Sequence, residues 1–472
     1  MEGVDAGYLY METPSMHMHT LKIALVEPAP REGETFDPAY FTEVVLERLK
    51  DLPAFGRRAL RVPFGLNHPL WIGDRAIDPA QHVFVHRVPE PGGMAGLEDL
   101  IGEIGGRPLD QTLPLWELHV TEPTASLGGG TQVAVVAKMH HALADGGAAN
   151  ALLGAVTDAV RAEDGVPAEQ VLEQTPSRVA QVRMALIDAL GQVSSLPALL
   201  LTTAQGIRGV LGLRRRASVR VPRPILDAPR TPFNAALTPR RSFATASVPL
   251  DEVRAVGKAH GVTVNDMVLA LVSGALRHWL DEHDERPRKS LLAGVPVGTD
   301  SPGLSPQRLG GNRVSNLFTT LATDVDDPAE RLQLISATTR ESKLVQQTLG
   351  PDLLRDWVEF TPPGPMSLAM RAYSRGRLAS LHAPPFNVVV SNVRGPGEVV
   401  TIAGARLVDL FSVGPILEGI GLNVTAWSYD GRVNFSLLGC PDLVADLRAV
   451  AAGLAPALEE LRTSTSRRPS RA

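Results

Sequence analysis

Cysteine is nearly absent from this chain: Cys440 is the single one among 472 residues. That count excludes an intramolecular disulfide and a cysteine-rich zinc site, and it favours a reducing compartment. Aromatic residues are scarce at 5%, and the formal net charge is only -5. A chain without a global basic field lacks the electrostatic footprint of a nucleic-acid-binding protein. We therefore expect no nucleic acid among its partners.

Long apolar runs are also missing from the sequence. No uninterrupted run reaches the length needed to cross a bilayer, so we expect a protein that touches a membrane but does not span it. Residues 1–5 lack the basic and apolar regions of a signal peptide. These observations predict a cytoplasmic protein, located at most peripherally on the inner membrane face or on lipid droplets.

The residues that are present indicate a globular protein of mixed α/β class. Hydrophobic residues make up 44% of the chain and charged residues 21%, which is ordinary for a folded domain. Alternating or apolar runs predict strands at 16–25 and 386–392, and an Asp-Gly pair predicts a hairpin over 422–438. Capping patterns predict helices that begin after Thr263 and Asp327, and residues 443–461 form a further predicted helix.

The predicted elements divide the chain into two halves. An N-terminal half covers residues 1–200, a basic and proline-rich connector covers 201–240, and a C-terminal half covers 241–462. Residues 463–472, rich in serine and arginine, are predicted to be disordered.

The most informative motif is His-His-x-x-x-Asp-Gly, formed by His140, His141, Asp145 and Gly146. A strand-like segment, 132–138, precedes it and a helix-like segment follows. Histidine titrates nearest neutrality, so it suits proton abstraction at physiological pH. A buried structural histidine and a zinc-binding pair are the alternatives, although adjacent histidines on an extended chain point apart, which hinders chelation by both.

The full segment, residues 140–146, resembles the signature of CoA-dependent acyltransferases and, in this longer form, that of the bacterial wax ester synthase/diacylglycerol acyltransferase family. Residues 114–116, 265–266 and 310–316 are similar to further segments of that family. The resemblance implies two chloramphenicol-acetyltransferase-like halves that form a pseudo-dimer around a central tunnel. It also implies that His141 is the general base and that His140 and Asp145 support it.

The resemblance extends less firmly to the other site residues. Asn265 is the first candidate for the oxyanion donor. Ser391 and Asn392 end a strand similar to one that borders the family's site, and together with Gly146 they are candidate substrate-binding residues. An ordinary position in a helical turn or at a strand end is the alternative for each. An arginine is expected to pair with Asp145, and the candidates are Arg313 and Arg394.

The implied activity is acyl transfer from acyl-CoA, as co-substrate and without a bound cofactor, to diacylglycerol or a long-chain fatty alcohol. The sequence shows no serine or cysteine nucleophile elbow, which favours direct attack of the alcohol on the thioester. The alternatives are a CoA- or carrier-protein-dependent acyltransferase acting on a polyketide or other complex alcohol, and a non-catalytic lipid-binding relative. No metal is expected, although His17 and His19 share one strand face in the manner of a metal pair.

Residues 196–224 combine leucines with arginines and contain no acid between Arg208 and Arg223. A basic amphipathic segment can lie on an anionic membrane surface. The alternative interpretation is a solvated linker between the two halves.

Overall fold

Two six-stranded sheets organise the chain in the computed structural model, which describes residues 1–28, 38–50, 52–124, 131–143, 153–158, 172–298, 312, 314–350 and 352–466. Its strands are β1 (His19–Glu27), β2 (Arg58–Leu60), β3 (Leu70–Ile72), β4 (Val83–His86), β5 (Trp116–Thr121), β6 (Val133–His140), β7 (Ser242–Pro249), β8 (Leu292–Gly298), β9 (Val314–Thr320), β10 (Val388–Arg394), β11 (Thr401–Ile402), β12 (Ala405–Val413), β13 (Leu422–Tyr429) and β14 (Arg432–Gly439).

The α-helices complete the mixed α/β class that the sequence predicts. They include α1 (Gly3–Met11), α2 (Pro38–Lys50), α3 (Pro79–His82), α4 (Gly93–Gly106), α5 (Arg178–Arg216), α6 (Leu250–His260), α7 (Val264–Glu282), α8 (Pro328–Leu349), α9 (Leu353–Val358), α10 (Pro363–Arg375), α11 (Leu447–Ala452) and α12 (Leu454–Ser466).

The N-terminal sheet has the strand order β11-β12-β1-β6-β5-β4. β1 lies between β6 and β12 and is antiparallel to both. Because β11 and β12 come from residues 401–413, the C-terminal part of the chain completes this sheet. α2 packs on one face and α4 on the other, so β1 and β6 are buried on both sides.

The C-terminal sheet has the order β7-β14-β13-β10-β8-β9. The predicted hairpin is confirmed as β13 and β14, with Asp430 and Gly431 both at positive φ in the turn. α7 begins at the predicted capping box, in which the Thr263 side chain accepts from the Asp266 amide and Asp266 accepts from the Thr263 amide. Apolar residues of α7 are buried in the large core cluster on this sheet.

Three predicted elements differ from the structure. β1 begins at His19 rather than at residue 16, because Met18 adopts a left-handed backbone with φ 52°. The C-terminal helix is two helices, α11 and α12, which meet at Gly453. The predicted disordered tail is wrong for residues 463–466, which continue α12, while residues 467–472 lie outside the described ranges.

The predicted connector begins inside a helix. α5 runs for 39 residues, from a capping serine at Ser177 to Arg216, and it contains Pro197 without ending there. Among the described residues, α5 is the single helix that is long and apolar enough to cross a membrane by length and composition, with a mean hydropathy of 1.6 over 18 residues. Small and weakly polar residues interrupt its apolar runs, so the apolar character of α5 appears only when hydropathy is averaged along the helix. The consecutive helices α6 and α7, bent by 101° at the break between them, are together also long and apolar enough to cross a membrane. Most residues of α7, however, are buried in the protein core.

Candidate active site

The turn that follows β6 is fixed by its backbone. The amide of His140 donates to the carbonyl of Leu115 at 2.9 Å, and the amide of His141 donates to the carbonyl of Met18 at 2.8 Å. Met18 can receive this bond because its left-handed backbone turns the chain just before β1. β1 and β5 therefore hold the two histidines from either side of β6.

His140 is an anchor for this turn. Its side chain is fully buried, and its Nδ1 accepts from the amide of Ala142 at 3.0 Å. An accepting Nδ1 assigns the ring proton to Nε2. Nε2 lies 3.2 Å from Oε2 of Glu12, close enough for electrostatic attraction but off the line of a hydrogen bond. Nδ1 is bonded and Nε2 faces Glu12 inside the protein, so His140 supports the turn rather than abstracting a proton.

His141 occupies a different environment from its neighbour. It is half-buried, and its ring stacks on Tyr8 with centroids 4.3 Å apart and planes 6° from parallel. Its carbonyl accepts from Nδ2 of Asn312 at 2.8 Å. Backbone and ring are both positioned by neighbours, which is what a general base requires to act on a bound substrate.

Asn312 links three parts of the chain at this point. Besides its bond to His141, its amide and its Nδ2 donate to Oδ1 of Asp5 on α1, at 2.9 and 2.6 Å. Burial raises the pKa of Asp5 to about 6, and the Asn312 bonds only partly offset this rise. α1, the segment before β9 and the histidine turn therefore form one connected unit.

A row of ionisable side chains lies in the N-terminal sheet beside His140. Lys138 is almost fully buried, and its Nζ lies 3.0 Å from Oε2 of Glu117, its cross-strand partner. Burial lowers the pKa of Lys138, and Glu117 opposes this effect. Burial acts to raise the pKa of Glu117, but bonds from His119 and Lys138 outweigh it and lower the value. The pair therefore keeps its charges through mutual contact.

His17 and His19 belong to the same buried region. Their rings stack at 5.6 Å, and His19 meets His140 edge-on at 6.2 Å. Burial lowers the pKa of His17 to about 4 and that of His19 well below its ordinary value, so both are neutral at physiological pH. Within the described ranges, no group of three or more histidine, cysteine, aspartate or glutamate side chains is arranged to hold a metal ion.

The remaining predicted site residues lie elsewhere or outside the described ranges. Asn265 is in the first turn of α7, while Ser391 and Asn392 are in β10, opposite Thr425 and Ala426 of β13. The contacts given above for His141 involve none of these three. Asp145, Gly146 and Arg313 lie outside the described residues, so their roles remain predictions; Arg394 is described, at the exposed end of β10.

Sequence reasoning missed Tyr8, Glu12 and Asp5. Each reaches the histidine turn from α1 or the residue after it, more than 120 positions away in the chain. One available signal was Asp5, an acid placed beside two glycines and apolar residues in a short helix, where burial of a charge calls for a partner. The segment 310–316 was singled out, but nothing in it specified that Asn312 bonds the motif.

An apolar cavity of about 80 Å³ lies between α2 and the N-terminal sheet. Phe41, Phe55, Met139 and Trp427 are among its lining residues. Met139 is two positions before His141, on the face of β6 that carries the apolar core. The lining is apolar, so a hydrocarbon group fits this cavity better than a polar group does.

Comparison with known protein families identifies the family to which the chain that carries this site belongs. The model of the wax ester synthase/diacylglycerol acyltransferase catalytic domain matches residues 1–268, and the model of the C-terminal domain of that family matches residues 310–462. The chain belongs to the wax ester synthase/diacylglycerol acyltransferase family. The resemblance seen in residues 140–146 is thereby confirmed.

Two Mycobacterium tuberculosis relatives, whose names assign them diacylglycerol O-acyltransferase activity, are similar along nearly their whole length. One is 37% identical over 98% of this chain and 95% of its own, and the other 32% identical over 99% and 91%. Among solved structures, the wax ester synthase/diacylglycerol acyltransferase from Marinobacter aquaeolei VT8 matches with a TM-score of 0.66 and 25% identity, over 98% of both chains.

The first condensation domain of the calcium-dependent antibiotic synthetase shares the fold alone, at 14% identity and a TM-score of 0.57 over 97% of this chain and 94% of that one. These likenesses confirm the predicted fold class, in which two chloramphenicol-acetyltransferase-like units face each other.

Proposed function

We propose that this chain is an acyl-CoA-dependent O-acyltransferase that esterifies diacylglycerol, with His141 as the general base. The single observation that carries the proposal is the contrast between the two histidines of the motif. His140 is sealed inside the protein against Glu12, whereas His141 is half-buried and oriented by Tyr8 and Asn312. Only the second histidine is placed to meet a substrate.

The reaction that this arrangement supports balances with one base. His141 takes the proton from the hydroxyl of the acceptor while the hydroxyl oxygen attacks the thioester carbonyl carbon. The tetrahedral oxyanion then collapses, the carbon–sulfur bond breaks, and the imidazolium returns the proton to the CoA thiolate. Asn265 is the proposed oxyanion donor, and Gly146, Ser391 and Asn392 are proposed to border the bound substrates.

A covalent acyl-enzyme has no support from the cysteine of the chain. Cys440 is fully buried, and its Sγ lies 3.4 Å from the hydroxyl of Thr238 in the core. A thiol in that position is inaccessible to a thioester, so direct transfer between the two substrates is the simpler course.

The proposed substrates follow from the names of the relatives and from the family. Acyl-CoA donates the acyl group, diacylglycerol is the preferred acceptor, and long-chain fatty alcohols are a second acceptor that would give wax esters. We further propose that the substrates reach His141 through a tunnel between the halves, and that the enzyme works in the cytoplasm in peripheral contact with the membrane or with lipid droplets.

The test offers purified protein a long-chain acyl-CoA with diacylglycerol and a fatty alcohol side by side. Free thiol release and the lipid products are followed together. We expect triacylglycerol as the main product and wax ester as a minor one. Thiol release only with a polyketide or another complex alcohol would instead favour the related acyltransferase, and the absence of turnover with every acceptor would favour a lipid-binding protein.

A further inference from the structure

α5 exposes an unusual amount of apolar side chain. Only 11% of its most apolar 18-residue window is buried against the rest of the chain. At 100° per residue, six of its exposed aliphatic side chains fall within an arc of about 100°, and we call them the outer stripe: Leu186, Leu190, Val193, Leu200, Leu201 and Leu211. Leu190 is 73% exposed and Leu201 66%. A contiguous apolar surface of this kind marks an interaction site.

The charges on α5 select the kind of partner. The helix carries six arginines and one acid, Asp188. Arg183, Arg208 and Arg215 are exposed and share the arc of the outer stripe by helical spacing. Asp188 lies on the other side, where it accepts from Nδ2 of Asn67 at 2.7 Å. An apolar helix face on which the only charged side chains are cations complements a surface of anionic lipid.

Three of the arginines predicted to serve this purpose are engaged elsewhere. Arg220 and Arg223, beyond the end of α5, both pair with Asp227 at about 3 Å. Arg214 donates to the carbonyls of Val221 and Pro222. The basic contribution therefore comes from the exposed arginines of the helix itself.

The opposite face of α5 packs on the protein, which indicates that the helix lies along a surface rather than crossing a bilayer. Nε1 of Trp357 in α9 donates to Oγ1 of Thr203 at 2.9 Å. Gly206 approaches α8 so closely that a Cβ there would meet the carbonyl of Leu349 at 3.0 Å. α9 carries Arg355 and Asp356, and hydrocarbon would not accommodate these charges.

A second exposed apolar element lies beside α5. Phe64 is 92% exposed at the centre of a tight turn, Pro63–Gly65, and holds a left-handed backbone with φ 59°. Asn67, three residues later, bonds Asp188 of α5, and Gly65 approaches Gly364 of α10. A bulky residue is strained in this conformation. The Phe64 ring is nevertheless exposed to solvent, so packing in the core does not explain the strained backbone.

This surface lies close to the catalytic turn. α9 and the residue after it contact α1, where the amide of Gly3 donates to Oε1 of Glu359. α1 in turn carries Tyr8, which stacks on His141. A surface bound to the outer stripe would therefore be connected to His141 through α9 and α1.

We propose that the outer stripe of α5 docks the enzyme flat on a phospholipid surface that contains anionic headgroups. This docking rests on the proposed function only for its purpose, which is to bring a lipid acceptor to the entrance beside α1. The contact itself is a property of the chain that can be measured without turnover.

The test is flotation of the full chain with phosphatidylcholine vesicles, prepared with and without phosphatidylglycerol. Wild type should float with the anionic vesicles and less with the neutral ones. The triple variant Leu190→Ser, Leu201→Ser and Leu211→Ser should lose about a hundredfold in vesicle binding. The matched control, Ala198→Ser, Thr202→Ser and Gln205→Ser, changes exposed positions outside the stripe and should bind as wild type does.

Three further variants separate the contributions of charge and of the Phe64 ring from effects on folding. Arg208→Gln and Arg215→Gln should each lower binding to anionic vesicles about fivefold and leave binding to neutral vesicles unchanged. Phe64→Asn removes the ring while favouring the left-handed backbone, and it should leave vesicle binding unchanged, because Asn67 ties this turn to Asp188 on the side of α5 away from the stripe.

Thiol release with a short-chain soluble alcohol distinguishes this proposal from the proposed function. The stripe variants should retain that activity, because they leave His141 and its neighbours intact. Equal flotation of wild type and triple variant would overturn the docking surface, as would a wild type that resists alkaline extraction and so spans the bilayer. A wild-type dimer that the triple variant dissociates, without vesicle binding, would assign the stripe to a second copy of the chain instead.

Discussion

The two sheets have similar architecture but different interiors. The N-terminal sheet places ionisable side chains beside the histidine turn: His19, Lys138 and His140 are buried, and the Glu117 side chain is 18% exposed. The C-terminal sheet buries one large apolar cluster, and the polar side chains on its central strands are neutral ones such as Asn423, Thr425, Asn434 and Ser436. The N-terminal sheet combines apolar clusters with buried ionisable groups, whereas the C-terminal sheet combines apolar packing with neutral polar groups.

Buried neutral polar groups and buried charges respond differently to substitution. Neutral polar groups such as Thr425, which donates to Oδ1 of Asn423 at 3.2 Å, are satisfied locally and cost little to bury. A buried pair such as Lys138 and Glu117 depends on both partners, because either one alone is an uncompensated charge. The N-terminal sheet should accordingly be the more sensitive of the two to a single substitution.

Breaking that pair gives the largest expected effect on stability. Glu117→Gln leaves Lys138 buried without a counter-charge and should lower the free energy of unfolding by about 3 kcal/mol. Thr425→Val is the matched change in the C-terminal sheet and should cost about 1 kcal/mol. Urea unfolding of both variants at neutral pH measures the contrast. Equal losses would show that the buried charges do not set the N-terminal sheet apart.

The sequence predicted the local elements of both sheets well. The hairpin of β13 and β14, the capping box at Thr263 and the cap at Asp327 each depend on a few adjacent residues with a definite backbone preference. β6 and the turn that follows it were predicted for the same reason. The role of His141 came from a resemblance to a known motif, and the structure added the contacts that distinguish it from His140.

What the sequence could not supply was contact between distant segments. The pairing of β12 with β1 joins residues almost 400 positions apart, and no local sequence pattern predicts which distant strands will pair. The bond from Asn312 to His141 and the stack of Tyr8 on that ring are of the same kind. α5 was missed as one helix because residues 196–224 were interpreted as a connector between the two halves, whereas the helix continues through them to Arg216.

An effect of similar size, but dependent on pH, is expected from the carboxyl of Asp5, where the two parts of the chain meet. Its pKa is about 6 in the folded protein and about 3.9 in an unfolded chain. The folded state therefore binds more protons between these values, and stability falls as the pH rises through this range. The loss is complete above pH 6, amounts to about 3 kcal/mol at most, and disappears below pH 4.

Asp5→Asn should remove this pH dependence. The amide can still accept from Asn312, so the variant should be more stable than wild type at pH 7 and similar at pH 4. Thermal or urea unfolding across that range checks the difference, and Asp251→Asn on the exposed side of α6 controls for the loss of one surface charge. A variant that is less stable than wild type at pH 7 would show that the Asp5 charge is favourable where it lies.

The central claim, that His141 and not His140 is the base, is tested most directly by thiol release from acyl-CoA in two single variants, His141→Ala and His140→Ala. We predict that His141→Ala keeps its melting temperature and loses about a hundred- to ten-thousand-fold in turnover. His140→Ala should lose stability, since Glu12 and the amide of Ala142 lose their partner, while retaining more turnover than His141→Ala. Near-normal turnover in a folded His141→Ala protein would contradict the account.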